Sequence, residues 1–436
     1  LGRPQPSLFE RCRENKIDDD PNILSLNIVA LNIYINSMKL KSMLIDVSRL
    51  IWRMKRGLLP TGIDRTCLAY ISHYRGRAHA VIQFGKVTAV YPLECSRELF
   101  EVLLSSHRGG GGHRLPSLVW RGVRELLRGR VGRRDLSGAI YLNVGHTGLD
   151  KVSHEAWVQK SGVRPIYFVH DLIPITHPEY CRPRELEKHR HRITALLRNG
   201  TGIIGNSRDT LDELKIFASY QGSLEMPPTL LAPLGADFSD RQQAPRPDTT
   251  LPVRPYFVML GTIEGRKNHL FILTIWAEMA RRLGAACPQL VIIGQRGWES
   301  EQAVDMLERS AALRGHVIEL SRCDDAELQA YMCGARALLF PSFVEGYGLP
   351  LVEALASGTP VIASNLGVFR ELAGEIPEYL SPIDGLGWSQ LIEDFAQPDS
   401  IRRADQLKRL ASWQPPTWAD HFAKLDPWLE ELAAQP

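Results

Sequence analysis

Short apolar runs recur along the chain at 42–47, 78–84, 139–144, 164–169 and 202–205, and each is closed by polar or glycine residues. Runs of this length, bounded by turn residues, predict strands buried on both faces. Stretches with apolar positions at helical spacing lie between them, at 66–74, 184–197 and 210–220. Leu230 and Leu231 look like the start of one more strand. A second series follows, with strands predicted at 256–260, 289–293, 317–320, 337–340 and 360–363 and helices at 270–283, 325–332 and 349–356. Strand and helix alternating in this way predict an α/β fold with parallel sheets.

Between the two series, residues 235–255 are rich in Pro, Asp, Gln and Arg. A composition shift of this kind marks a linker. The predicted organisation is an arm or extension over 1–40, a first Rossmann-like domain over 41–240, a linker over 241–255, a second Rossmann-like domain over 256–412, and a terminal helix over 413–436 crossing back to the first domain. Open parallel sheets bind ligands beyond the carboxyl ends of their strands, so the two domains are expected to face each other across a cleft.

An insertion at 105–134 interrupts the first domain. It opens on four consecutive glycines, 109–112, and from Arg108 to Arg134 carries eight arginines against one acid, Glu125. Leu118, Trp120, Val123, Leu126 and Leu127 recur there near helical spacing. Two readings stay open for 118–134: a solvated helix packed on its domain, or a face that docks on anionic lipid. Nucleic acid is disfavoured, because single-strand binding also calls for stacking aromatics and the whole chain of 436 residues has a net charge of only +3. Seven cysteines, none in a CxxC pair, argue against a disulfide scaffold or a structural zinc site and for a reducing compartment. The apolar run at 23–35 is broken by Asn27 and Asn32, is shorter than the roughly 20 residues of a membrane span, and lacks the marks of a signal peptide. The protein is expected in the cytoplasm, at the membrane face if 118–134 docks there.

Candidate chemistry gathers at strand ends in the second half. Gly261 ends one strand, and Glu264, Gly265, Arg266, Lys267 and Asn268 precede the next helix. Glycine lets backbone approach a ligand, a helix start offers free N–H groups, and Lys267 supplies a point charge, so this loop suits a diphosphate. It also reads as a structural loop with a solvated lysine. The strand at 337–340 runs into Glu345, Gly346, Tyr347, Gly348, Leu349 and then Glu353 on the following helix. One carboxylate can hold sugar hydroxyls and the other a ribose diol; alternatively Glu353 is an acid favoured near a helix start. Backbone near Gly367 adds a further diphosphate cradle.

These residues carry a family likeness. The segment LFPSFVEGYGLPLVEALASGTPVIASNLGVFRELAG resembles the nucleotide-sugar signature of glycosyltransferase family 4, with its paired glutamates at Glu345 and Glu353. GTIEGRKNH resembles the family's phosphate loop, with Lys267 in the lysine place, but Thr262 stands where the family often has arginine. Arg266 is the candidate replacement. YFVHDLIPITHPEY resembles a mannosyltransferase-like branch and puts His170 in the place of the active-site histidine, though a core histidine also fits. IIGNSRDTLDEL resembles the family's strand into a serine-bearing turn, and Asp46 with TGIDR resembles the glycine loop near the diphosphate, with Gly62 in it.

The resemblance implies a GT-B fold and a retaining transferase. Its donor would be a nucleoside diphosphate sugar, GDP-mannose first. Its acceptor would be a hydroxyl of a glycan or lipid-linked saccharide in surface polysaccharide synthesis. His170, Lys267 and Glu345 would act at the reacting carbon. Gly62, Gly261, Arg266, Gly346, Tyr347, Gly348, Leu349 and Glu353 would bind donor. No metal-holding Asp-x-Asp pair is evident, so metal-independent chemistry without a cofactor is expected. The rivals are an epimerase-like enzyme of the same shape and a non-catalytic scaffold. A nicotinamide dehydrogenase is disfavoured, since no GxGxxG follows the first strand.

Overall fold

The computed structural model describes residues 43–58, 60–107, 136–222, 225–236 and 251–435. The expected arm at 1–40, the basic patch at 118–134 and most of the linker at 241–255 lie outside the described residues.

The first sheet contains β1 (Met43–Asp46), β2 (Ala78–Phe84), β3 (Val87–Val90), β4 (Ile140–Asn143), β5 (Arg164–Val169), β6 (Gly202–Gly205) and β7 (Thr229–Leu231). Their spatial order is β3-β2-β1-β4-β5-β6-β7. All neighbours are parallel except β2 and β3. The expected parallel sheet thus carries one antiparallel edge strand, which no apolar run marks. Gly85, at φ 57°, turns the chain within two residues, too few for a parallel crossover. Leu44, Tyr141, Tyr167, Ile193 and Leu214 meet in the core of this half.

The second sheet contains β8 (Tyr256–Leu260), β9 (Gln289–Ile293), β10 (Val317–Leu320), β11 (Leu338–Phe340), β12 (Val361–Ser364) and β13 (Glu378–Leu380). Its order is β10-β9-β8-β11-β12-β13, parallel throughout. This is the doubly wound arrangement, with its switch point between β8 and β11. Its core packs Phe257, Trp276, Leu290, Leu339 and Trp388.

Helix Gly62–Tyr74 starts earlier than the apolar pattern indicated. Gly62 therefore opens a helix rather than sitting within a glycine loop. The reason is local: the Thr61 backbone N–H donates to Asp64 Oδ2 at 2.7 Å, a capping box that extends the helix to its polar start. Arg49 and Arg53 each reach Asp64 at 2.7 Å and hold this start against the segment after β1.

The last helix, Trp418–Ala434, packs on the first domain. Tyr70 donates to His421 Nε2 at 2.8 Å while His421 Nδ1–H donates to Pro233 O at 2.9 Å. Burial pushes His421 down to about 4, which keeps the ring neutral for this pair of roles. Tyr74 donates to Asp426 at 2.7 Å, and Phe422 stacks on His73 with ring centres 3.9 Å apart. A Cβ on Gly202 would lie 2.6 Å from the Trp428 ring, so β6 admits no side chain there. Phe422 is 5% exposed among Tyr70, His73 and Tyr74. Phe422→Ala is expected to cost about 3–5 kcal/mol of stability, read from urea unfolding.

Candidate active site

The switch point of the second sheet brings two loops together. The loop after β8 carries Gly261 to Asn268, and the loop after β11 carries Pro341 to Gly348. Gly261 adopts φ 132°, and a Cβ there would sit 3.6 Å from Lys267 Cε. That distance is an ordinary contact, so it is the positive φ and not lack of space that calls for glycine where Lys267 folds back over its own strand end. Lys267 Nζ lies 2.5 Å from Glu345 Oε1, and Arg266 Nη1 lies 2.8 Å from Glu345 Oε2. Ser342 donates to Glu345 Oε1 at 2.8 Å, and Arg266 also reaches Glu264 at 2.7 Å. Asn268, at φ 61°, donates to Pro341 O and Pro382 O and ties the loops to each other.

Glu345, Lys267 and Glu264 are all buried. Burial alone would raise Glu345, but Arg266 and then Lys267 pull its carboxyl down to about 2. Burial lowers Lys267, and its attraction to Glu345 answers this only in part because Arg266 shares the same carboxylate. Glu345 faces two cations, and of these Arg266 also has Glu264. The depression of Glu345 is the direction the geometry supports most directly.

The first domain closes on this loop. A Cβ on Gly346 would meet His170 O at 2.5 Å, so only glycine passes there. Ser207 and Thr210 hydroxyls donate to Gly346 O at 3.1 and 3.3 Å. Tyr347 donates to Leu234 O at 2.8 Å, which makes it an interdomain strut. Gly348 takes φ 105°, and a Cβ there would strike the Phe369 ring at 2.7 Å. Leu349 Cδ1 approaches the Cβ position of Gly62 to 3.0 Å, so the starts of two helices touch across the domains. The Arg208 N–H donates to Glu371 at 2.9 Å, and Tyr180 stacks on Phe343 at 5.3 Å.

His170 stands at the end of β5 and is 6% exposed. Its Nε2–H donates to Val144 O at 2.8 Å. Burial pushes it down to about 4, so the ring is neutral at pH 7 and Nδ1 is its acceptor. Asp171 accepts from Ile173 N at 3.1 Å and so holds backbone.

Glu353 lies on helix Leu349–Ala356 and is 6% exposed. It is ion-paired with Arg65 Nη1 from the first domain. Arg65 Nη2 also lies 3.7 Å from Asp325. Residue order assigns Glu353 to a ribose and gives Arg65 no role, although Arg65 lies within TGIDR. Positions 288 apart offered no pattern to join them. Ser342 was missed for a similar reason, since a serine after a strand is common. On the neighbouring strand ends a cavity of about 410 Å³ is lined by Gln295, Arg296, Glu319 and Ser321. Among the described residues no group of three His, Cys, Asp or Glu side chains is arranged to hold a metal, and no helix is long and apolar enough to cross a membrane.

Two Rossmann-like domains closing on a charged switch point define the GT-B architecture. The structure of Anabaena Alr3699/HepE in complex with UDP and glucose matches with a TM-score of 0.61 at 16% identity, over 90% of this chain and 100% of that one. Residues 241–376 match the family described as glycosyl transferases group 1. The serotype-specific mannosyltransferase WbdA of Escherichia coli is 27% identical over 364 residues, 78% of this chain and 42% of the relative. O-antigen chain mannosyltransferase B of Escherichia coli is 29% identical over 58% of this chain and 67% of the relative. The chain is a GT-B-fold protein related to glycosyltransferases that include mannosyltransferases, and it spans about two fifths of the length of WbdA.

The Glu345 carboxyl sits at about 2 in the folded chain against an ordinary 4.5. A depressed carboxyl contributes stability above its unfolded value and loses that contribution as pH falls through its folded value. Wild-type stability is therefore expected to fall between pH 4.5 and 2. Glu345→Gln should flatten that part of the profile and cost about 3–5 kcal/mol at pH 7, because Arg266 and Lys267 lose their shared anion. Urea unfolding at a series of pH values measures both.

Proposed function

We propose that the protein is a retaining, metal-independent hexosyltransferase that moves mannose from GDP-mannose to a hydroxyl of a glycan or lipid-linked saccharide. The observation that carries this reading is the buried Lys267–Glu345–Arg266 cluster at the switch point, in the same loop as Gly346, which passes against the His170 carbonyl of the first domain. The names of the related mannosyltransferases support mannose as the transferred sugar. The guanosine carrier comes from the likeness of the motifs.

In this mechanism the acceptor hydroxyl attacks the anomeric carbon. The bond from that carbon to the β-phosphate oxygen breaks, and the diphosphate leaves with the electron pair. The hydroxyl proton passes to the departing phosphate on the same face of the sugar. Lys267 and Arg266 meet the negative charge that develops on the leaving group. Glu345 orients the sugar and favours positive charge at its anomeric carbon. His170, neutral and with Nε2–H already engaged, accepts a hydrogen bond from a sugar or acceptor hydroxyl through Nδ1. Backbone at Gly261, Gly346, Gly348 and Leu349 lets the diphosphate approach closely. Glu353 holds the ribose diol.

A panel of GDP- and UDP-sugars assayed with extracted lipid-linked acceptors tests the donor and the class together. GDP-mannose is expected to turn over. Lys267→Ala and Glu345→Ala should each lower that turnover about 100-fold or more while circular dichroism stays native. Rates near wild type in both variants would reject the assignment.

A further inference from the structure

The two domains meet at the one carboxylate proposed to hold ribose. Glu353 is buried, and the Arg65 guanidinium already occupies it. Arg65 comes from the first domain, one turn into helix Gly62–Tyr74. Its side chain is 25% exposed, whereas that of Glu353 is 8% exposed, so the arginine lies on the solvent side of the pair. The contact does not stand alone. Gly62, at the start of the same helix, lies beside Leu349, the first residue of the helix that carries Glu353.

A carboxylate that accepts from a guanidinium has fewer lone pairs left for a ribose diol. A diol also offers two neutral O–H donors where the guanidinium offers charged N–H groups, and the charged bond is the stronger kind. Arg65 Nη1 engages Oε1, so a ribose diol that takes both carboxylate oxygens of Glu353 displaces Arg65. Asp325, 3.7 Å from Arg65 Nη2 and with its side chain 56% exposed, gives the released guanidinium a nearby anion. Displacement thus moves the arginine from Glu353 to an acid on the second domain's own rim and does not strand the charge.

We propose that Arg65 is a positioning residue of the donor site, a latch that occupies Glu353 in the free protein and yields it to the ribose of an incoming nucleotide. The latch rests on the donor reading above and adds to it a component from the first domain. It makes donor entry and interdomain opening at Gly62–Leu349 a single event. It also sets a cost on nucleoside binding that a neutral side chain at 65 would remove.

The test compares wild type, Arg65→Gln and Glu353→Gln, all checked for native circular dichroism. GDP and UDP are titrated by calorimetry, and guanosine and uridine by ligand-observed NMR. The nucleosides carry the ribose without phosphate, so any direct attraction between Arg65 and the diphosphate does not enter that arm. The base that wild type accepts should bind Arg65→Gln about fivefold or more tighter as the nucleoside. Its diphosphate should bind Glu353→Gln more weakly than wild type. Amide exchange in 349–356 should also rise in free Arg65→Gln, a change that loss of a mere surface contact would not couple to nucleoside affinity. Nucleoside binding to Arg65→Gln that is equal to or weaker than wild type, with GDP or UDP still bound by wild type, overturns the latch alone. Failure of GDP and UDP to bind any of the three folded proteins overturns the donor reading beneath it.

Discussion

A carboxylate buried at the meeting of two loops has to be answered by positive charge, and that constraint organises the second domain. Glu345 retains its ionised form because Arg266 and Lys267 converge on it from the loop after β8. An unpaired buried ion would cost several kcal/mol, so the loops after β8 and β11 cannot move independently. Gly261 supplies the positive φ at the strand end, Asn268 pins the loop to Pro341, and Ser342 supplies a further hydrogen bond. The cluster is thereby assembled before any ligand arrives, which is what a site that stabilises a departing anion requires.

The same loop also joins the domains. Its backbone at Gly346 accepts from Ser207 and Thr210, and Tyr347 reaches Leu234. Two of the glycines that make the motif recognisable are therefore steric conditions for closure: Gly346 against His170 O and Gly348 against Phe369. The terminal helix returns to the first domain and clasps it through Tyr70, Tyr74 and Asp426. At the cleft the halves meet through hydrogen bonds at Gly346 and Tyr347, the Arg65–Glu353 pair and the Tyr180–Phe343 stack, and at the far side through the aromatic cluster around Phe422.

Much of the architecture was legible from periodicity. Strands β2, β5, β6, β8 and β9 fall where the apolar runs placed them, because a largely buried strand leaves a nearly uninterrupted apolar signature; β10 also falls where expected, although it is a half-buried edge strand. Strand β3, short and mostly exposed or half-buried, left none. The helices Ser48–Lys55 and Glu301–Arg309 also escaped notice, since their exposed faces dominate short windows.

For the candidate site, residue order alone determined which groups could cluster. Lys267 and Glu345 both follow strands, and a parallel sheet delivers strand ends to one edge, so their convergence was implied by pattern. Which partner each charge takes was decided in three dimensions. Arg266 meets Glu264 and Glu345, and Arg65 crosses the cleft to Glu353. Alternation of apolar and polar residues specifies elements and their layering, but pairing between side chains hundreds of positions apart depends on how two domains pack, and packing is a property of the folded surface and not of any window along the chain.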